Sequence, residues 1–285
     1  IQMGEANNWS AQETHDRLKA YYDGYHFSRR NMVDVYNPYS LVNALKSKEI
    51  INFWASSGAT SLIPKFVDNA ELRMKNFEHC RIMRNTLELS DVAGGGAELF
   101  LYQSGYLTIK ECDEFGYVLG FPNEEVKQAL YEMVLPALTL RKKSDIQSIQ
   151  ANLYAQLGTG QVDEAMKSLK ALIADVPYSN KKLASMDMEE RYRLIISTIL
   201  NAIGLSVEVE RMMSTGRIDM TVKTSRYIYV IELKLHNNGG KEAATEQILN
   251  RQYMEPFKAD KRKVIGLGIE LDEEGKGLLD WKRAE

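Results

Sequence analysis

Spaced by its apolar residues, the chain reads as a helical first half followed by a half in which strand-like runs take over. Ser10-Ala11-Gln12-Glu13 has the form of a capping box at the head of an amphipathic stretch to Tyr22, closed by Asp23-Gly24. Asn37 and Pro38 suit the cap and first position of a second helix through Lys46. Residues 50–90 read as short helices, interrupted at Ser56-Ser57-Gly58 and Pro64, with Gly94-Gly95-Gly96 as a flexible break. A helix is predicted over 98–104, a hairpin over 106–110 and 117–121, and a long helix to about Leu140 capped by Asn123. Helix, hairpin, helix is the order of a winged-helix module. The hairpin tip, Glu111-Cys112-Asp113-Glu114, is acidic, which favours packing or protein contact over a place beside phosphates.

Beyond a boundary placed near residue 141, helical patterns at 144–156 and 162–173 lead to a Pro-containing link at 176–182. Asp187 is positioned to cap a helix to about Ala202, with an apolar stripe of Tyr192, Ile195, Ile196, Ile199 and Ile203, and Gly204 stops it. Strands at 207–211, 218–223 and 227–235, a helix at 241–257 and a strand at 264–269 follow. The pattern gives an α+β protein: a mainly helical N-terminal domain with a winged-helix-like hairpin at 1–141, then a β-rich domain with a helical lead-in at 142–285.

The length of 285 residues agrees with two domains, and the net charge of −3 argues against tight, nonspecific nucleic-acid binding driven by overall charge. Lys258, Lys261, Arg262 and Lys263 form the densest local basic cluster, read either as a solvated strand entry or as a phosphate contact. Cys80 and Cys112 lack metal-like spacing and the four histidines are scattered, which disfavours a zinc enzyme and suits a reducing cytoplasm. No apolar run approaches a membrane span and no signal peptide opens the chain, so no membrane partner is expected; the start at Ile1 suggests a fragment. No G-x-x-x-x-G-K-[ST] occurs, so no ATP site is expected.

Candidate chemistry lies in Gly216–Gln247. The run from Tyr227 to Leu235 has the composition of a strand buried on both faces, yet it contains Glu232 and Lys234. Side chains two apart share a face of a strand, so both point to one site while Leu233 points into the core. Thr224-Ser225-Arg226 turns the chain back, and antiparallel pairing can bring Asp219 beside Glu232. Adjacent carboxylates either share a proton or hold a cation, and a hard divalent ion such as Mg²⁺ or Mn²⁺ is the natural one. The competing structural reading is an ion-pair network at a strand end. Gln247 and Tyr253, six apart, do not share one face of a continuous helix, which makes Gln247 the better candidate; Glu208 and Glu210 read as edge or surface charges.

Asp219 followed by Glu232-x-Lys234 resembles the D…(D/E)-x-K signature of the PD-(D/E)XK nuclease superfamily, with Ile218 where a proline usually precedes the aspartate. Gly-Arg-Ile-Asp, Ile-Glu-Leu-Lys, Gln247 and Tyr253 are similar to the nuclease-like domain found behind an AAA-ATPase-like domain in many bacterial proteins. Tyr22-Asp23-Gly24-Tyr25-His26-Phe27, Val35-Tyr36-Asn37-Pro38, the run from Tyr102 to Ile109 and Gly120-Phe121-Pro122-Asn123-Glu124-Glu125-Val126 resemble the lid and winged-helix part of that ATPase-like domain. The resemblance implies a restriction-endonuclease-like αβββαβ core and a metal-dependent nuclease regulated by an upstream ATPase-like region. It implies a metal held by Asp219, Glu232 and the Leu233 carbonyl, with Glu189 (Glu190 competing) as an additional acid. Lys234 and Gln247 would complete the catalytic set. Nucleic acid is the implied partner, DNA ahead of RNA, with self-association into a homo-oligomer also expected. The alternative is a catalytically inactive recognition or assembly module that keeps the nuclease fold.

Overall fold

The architecture comes from a computed structural model that describes residues 2–28, 32–56, 77, 79–88, 96–139, 143–174 and 187–284. The breaks at Ser57-Gly58 and Pro64, the glycines at 94 and 95, the helix end at Leu140 and the link at 176–182 lie outside these residues. The chain divides into two compact units, Ile1–Met133 and Val134–Glu285. Among the described residues no helix is long and apolar enough to cross a membrane.

The first unit contains α1 (Gln2–Asn7), α2 (Ala11–Tyr22), α3 (Pro38–Ser47), β1 (Cys80–Met83), α4 (Gly96–Gln103), β2 (Thr108–Cys112), β3 (Gly116–Gly120) and the start of α5 (Glu124–Thr139). The capping box forms in full, with Ser10 Oγ accepting from Glu13 N at 3.1 Å and Glu13 Oε2 from Ser10 N at 2.8 Å. Asn37 Oδ1 accepts from the Tyr39 and Ser40 amides and so starts α3. The aromatic cluster packs: Tyr22 is wholly buried with Met3, Leu18 and Ala44, against Trp9, Tyr36 and Phe53. The hairpin is present, and β1 adds to it in the order β1-β3-β2. The sequence pattern missed β1, whose four residues alternate in burial over too short a span to set a period. Asp113 organises the hairpin tip, its carboxylate accepting from the Phe115 and Gly116 amides and pairing with Arg81.

The second unit holds α6 (Lys143–Thr159), α7 (Val162–Ile173), α8 (Met188–Ala202), β4 (Ser206–Met213), β5 (Gly216–Lys223), β6 (Tyr227–Leu235), α9 (Gly240–Asn250), β7 (Lys263–Leu271) and β8 (Leu278–Ala284). Its five strands lie in the order β4-β5-β6-β7-β8, with β6 and β7 parallel and the other neighbours antiparallel. A parallel neighbour needs a crossover, and α9 with the turn after it supplies it, packing Ile248 and Tyr253 onto Ile218, Ile228 and Val230. The expected helix-three strands-helix-strand order is found. The extra edge strand β8 escaped notice because its apolar residues, Leu278, Leu279, Trp281 and Ala284, do not alternate with polar ones at the period of a strand.

One boundary matters for the site. A single helix over 241–257 is not what forms: α9 stops at Asn250 in a Schellman closure, with Tyr253 N bonded to Ile248 O and Gln252 N to Leu249 O. Gln252 takes the left-handed position (φ 53°) that glycine usually fills, so the stop carries no glycine signal.

Asp187 caps α8, accepting from the Glu189 and Glu190 amides at 3.1 and 3.4 Å. Replacing it with Ala is expected to cost about 1 kcal/mol, read as a lower urea midpoint with an unchanged m-value. An unaltered midpoint would remove the cap from the account of how α8 is set.

Candidate functional site

The site is built where two strands part. β5 and β6 pair from Lys223↔Ile228 to Met220↔Ile231, after which β5 continues against β4 and β6 against β7. Parting leaves peptide N–H groups in the interior without a ladder partner, and such groups must be paired. Asp219 and Glu232, next in register, satisfy two of them. Asp219 Oδ2 accepts from Leu233 N at 2.9 Å, and Glu232 Oε2 accepts from Asp219 N at 3.4 Å. Both residues are buried, Glu232 to 2 % exposure.

Glu232 shares its second oxygen between a hydrogen bond from Gln247 Nε2 and the Lys234 ammonium at 3.7 Å. Burial first, and then the Asp219 charge, push its carboxyl up to about 8, with Lys234 pulling the other way. Lys234 Nζ also lies 3.8 Å from Glu189 Oε2. The sequence-predicted residues therefore come together, though not equally. Asp219, Glu232, Lys234 and Gln247 form one contact set, and Leu233 contributes its amide. Glu189 stands on the far side of Lys234, its Oε1 accepting from Leu235 N and Asn238 Nδ2, both at 3.2 Å. Glu190 is exposed.

Tyr253 joins the set, contrary to the spacing argument against it, because the chain turns after Asn250 instead of continuing as helix. Its hydroxyl lies 3.5 Å from Gln247 Nε2, and it fills the space a side chain on Gly216 would need.

Arg193 was not foreseen. Its Nη1 lies 2.8 Å from Asp219 Oδ1 and its Nη2 3.1 Å from Glu210 Oε1. The available signal was spacing: Arg193 is four residues after Glu189, on the same face of α8. Glu210 is more than an edge charge. It lies between the pairs Val209↔Met220 and Arg211↔Ile218, outside the ladder, with φ 55°. A left-handed residue in a strand costs about 1–2 kcal/mol, and here its carboxylate receives both Arg193 and Arg217. Glu208 does pair locally, with Arg211. In the basic cluster, Lys258 is paired with Glu255 and Arg262 with Asp260.

Asp219, Glu232, Lys234, Gln247, Tyr253 and Arg193 line a cleft of ≈ 490 Å³ that also includes Asp187, Glu189, Arg217 and Arg251. Residues 187–281 match the profile of the family described as the PD-(D/E)XK nuclease superfamily. This segment is a PD-(D/E)XK nuclease superfamily domain. The chain is also similar to a curated relative named "Uncharacterized protein in vnfD 5'region" from Azotobacter chroococcum mcd 1, 26% identical over 273 residues. That alignment covers 93% of this chain and 52% of the relative, so the chain spans about half the relative's length. No solved structure matches.

PD-(D/E)XK nucleases generally use divalent metal ions, and the donor set in this domain fits one. Two buried carboxylates side by side are hard oxygen donors of the kind a hard divalent cation takes. Among the described residues no group of three His, Cys, Asp or Glu is placed to hold a metal, so the fit rests on Asp219 and Glu232.

A raised carboxyl makes the folded state bind more protons than the unfolded one between about pH 4.5 and 8. Its contribution to stability is therefore fully present below about pH 4.5 and lost as pH rises to 8, at no more than about 1.4 kcal/mol per pH unit. In buffer free of divalent ions, the wild-type protein should lose melting temperature relative to Glu232→Gln over this window. Parallel melting profiles from pH 5 to 8 would show that Glu232 is not held neutral.

Proposed function

We propose that the nuclease superfamily domain hydrolyses phosphodiester bonds of nucleic acid, DNA ahead of RNA, with Mg²⁺ or Mn²⁺ held by Asp219, Glu232 and the Leu233 carbonyl. The observation that carries this reading is the pair of buried carboxylates at the parted strands, with Lys234 3.7 Å from Glu232 and Arg217 and Arg251 lining the same cleft. When bound, the ion would supply Lewis-acid stabilisation of charge on the phosphoryl oxygens.

The chain's own residues do the positioning. Gln247 and Lys234 fix the Glu232 carboxylate from two directions, and Tyr253 lies next to Gln247 at the wall of the cleft. Lys234, held between Glu189 and Glu232, is placed to orient the attacking water, assist its deprotonation and stabilise charge that develops on the phosphate. Arg217, half exposed, offers a guanidinium to the polynucleotide backbone.

A second reading, the inactive recognition or assembly module, is favoured by one observation: Asp219 already has a cationic partner in Arg193. Calorimetric titration with Mn²⁺ separates the two, since an inert module takes up no ion with or without oligonucleotide. The N-terminal unit, with a helix-flanked hairpin, supports its reading as the lid and winged-helix-like part of an ATPase-like domain. Regulation by an upstream ATPase-like region and a cytoplasmic setting belong to the same proposal.

Asp219→Ala would also orphan the Leu233 amide, so Asp219→Asn, which keeps an acceptor, is the cleaner substitution. Asp219→Asn and Lys234→Gln should each lower Mg²⁺-dependent cleavage of DNA by about 10²–10³-fold, with circular dichroism unchanged. Wild-type cleavage rates in both variants would take these residues out of the mechanism.

A further inference from the structure

Arg193 raises a question that the proposed metal site leaves open. Its guanidinium bridges carboxylates on two strands, binding Asp219 Oδ1 through one nitrogen and Glu210 Oε1 through another, and it is mostly buried, with 13 % of the side chain exposed. Asp219 Oδ2 is taken by the Leu233 amide, so Oδ1 is the oxygen that remains for a cation, and Arg193 holds it. Glu210, turned out of the ladder by its left-handed backbone, also holds Arg217 on the same Oε1 at 3.0 Å. Two guanidiniums thus stand side by side on one carboxylate at the lip of the cleft, and a planar, fork-shaped donor suits phosphate oxygens.

We propose that Arg193 is a resident counter-ion of Asp219 that must be handed over to a backbone phosphate of the bound polynucleotide before a divalent ion can take its place. Metal and nucleic acid then bind cooperatively. Without a polynucleotide, a metal ion has to displace Arg193 and leave a mostly buried guanidinium with one carboxylate instead of two. With a phosphate present, Arg193 keeps Glu210, acquires a new anion beside Arg217, and frees Asp219 Oδ1. Glu210 is a positioning residue here: it keeps both arginines at the cleft during the exchange. The coupling is a differential interaction energy between two states of one side chain, which is what linkage between two ligands requires. This inference rests on the metal-dependent nuclease reading and adds to it the order in which the site is filled.

The test measures metal affinity rather than cleavage, on the full chain. Calorimetric titration with Mn²⁺ alone should show Arg193→Gln binding the ion about tenfold more tightly than wild type, the loss of one charge-assisted bond in the competing state. Arg193→Lys keeps the charge but lacks the two-nitrogen fork that meets Asp219 and Glu210 separately, and should fall between them, which preserves the test if the Gln variant does not fold. In a Lys234→Gln background, where cutting of the duplex is slowed, adding a short DNA duplex should tighten Mn²⁺ binding, and the added Arg193→Gln change should abolish that gain. Equal Mn²⁺ affinity in wild type and both Arg193 variants would overturn the counter-ion role while leaving the nuclease reading intact. No Mn²⁺ uptake by any of them, with or without duplex, would overturn both.

Discussion

The second unit is arranged around an interruption in hydrogen bonding. β5 and β6 pair from Lys223↔Ile228 to Met220↔Ile231 and then separate, while each keeps its other neighbour, β4 or β7, along its outer edge. In a buried sheet that separation is costly unless the freed amides find acceptors. The carboxylates of Asp219 and Glu232 are those acceptors. The same two groups that close the ladder form the floor of the cleft, so the architecture and the proposed chemistry draw on the same atoms.

Two carboxylates this close and this buried need positive charge, and the surrounding elements bring it from two directions, with a neutral hydrogen-bond donor from a third. α8 supplies Arg193, β6 supplies Lys234, and α9 supplies the neutral donor Gln247. None of these fully offsets the burial of Glu232, whose carboxyl stays raised. The cleft thus sets buried carboxylates and cationic side chains against one another. Glu189 contributes differently. It ties the start of α8 to Leu235 and Asn238 and steadies Lys234 from the side away from Glu232.

In the first unit the charged and aromatic residues serve packing and turns. Tyr22 is buried and bonded to the Ile51 carbonyl, and Asp113 folds the acidic hairpin tip around its own carboxylate. That use accounts for Asp113 at the tip without any ligand. The exposed apolar residues along α3, Tyr39, Val42 and Leu45, are the other side of the same economy, since a helix with Ala44 and Ser40 turned inward has its larger groups outside.

The sequence alone determined the local structure wherever a side chain acts on its own backbone or on residues a fixed step away. The capping box at Ser10, the caps at Asn37, Asn123 and Asp187, the apolar run of β6 and the shared face of Glu232 and Lys234 all follow from spacing. The pairing of Asp219 with Glu232 was also legible, because a short turn fixes the register of a hairpin. Tertiary structure decided what depends on contacts across sequence distance. It placed Arg193 on Asp219, 26 positions away, and turned Glu210 toward it through a left-handed residue no propensity announces. It also ended α9 at Asn250 with Gln252 where glycine would be expected, which is why Tyr253 reaches the cleft. A pattern of residue types carries the period of an element but not the energy with which separate elements meet, and the occupancy of Asp219 is settled by that second quantity.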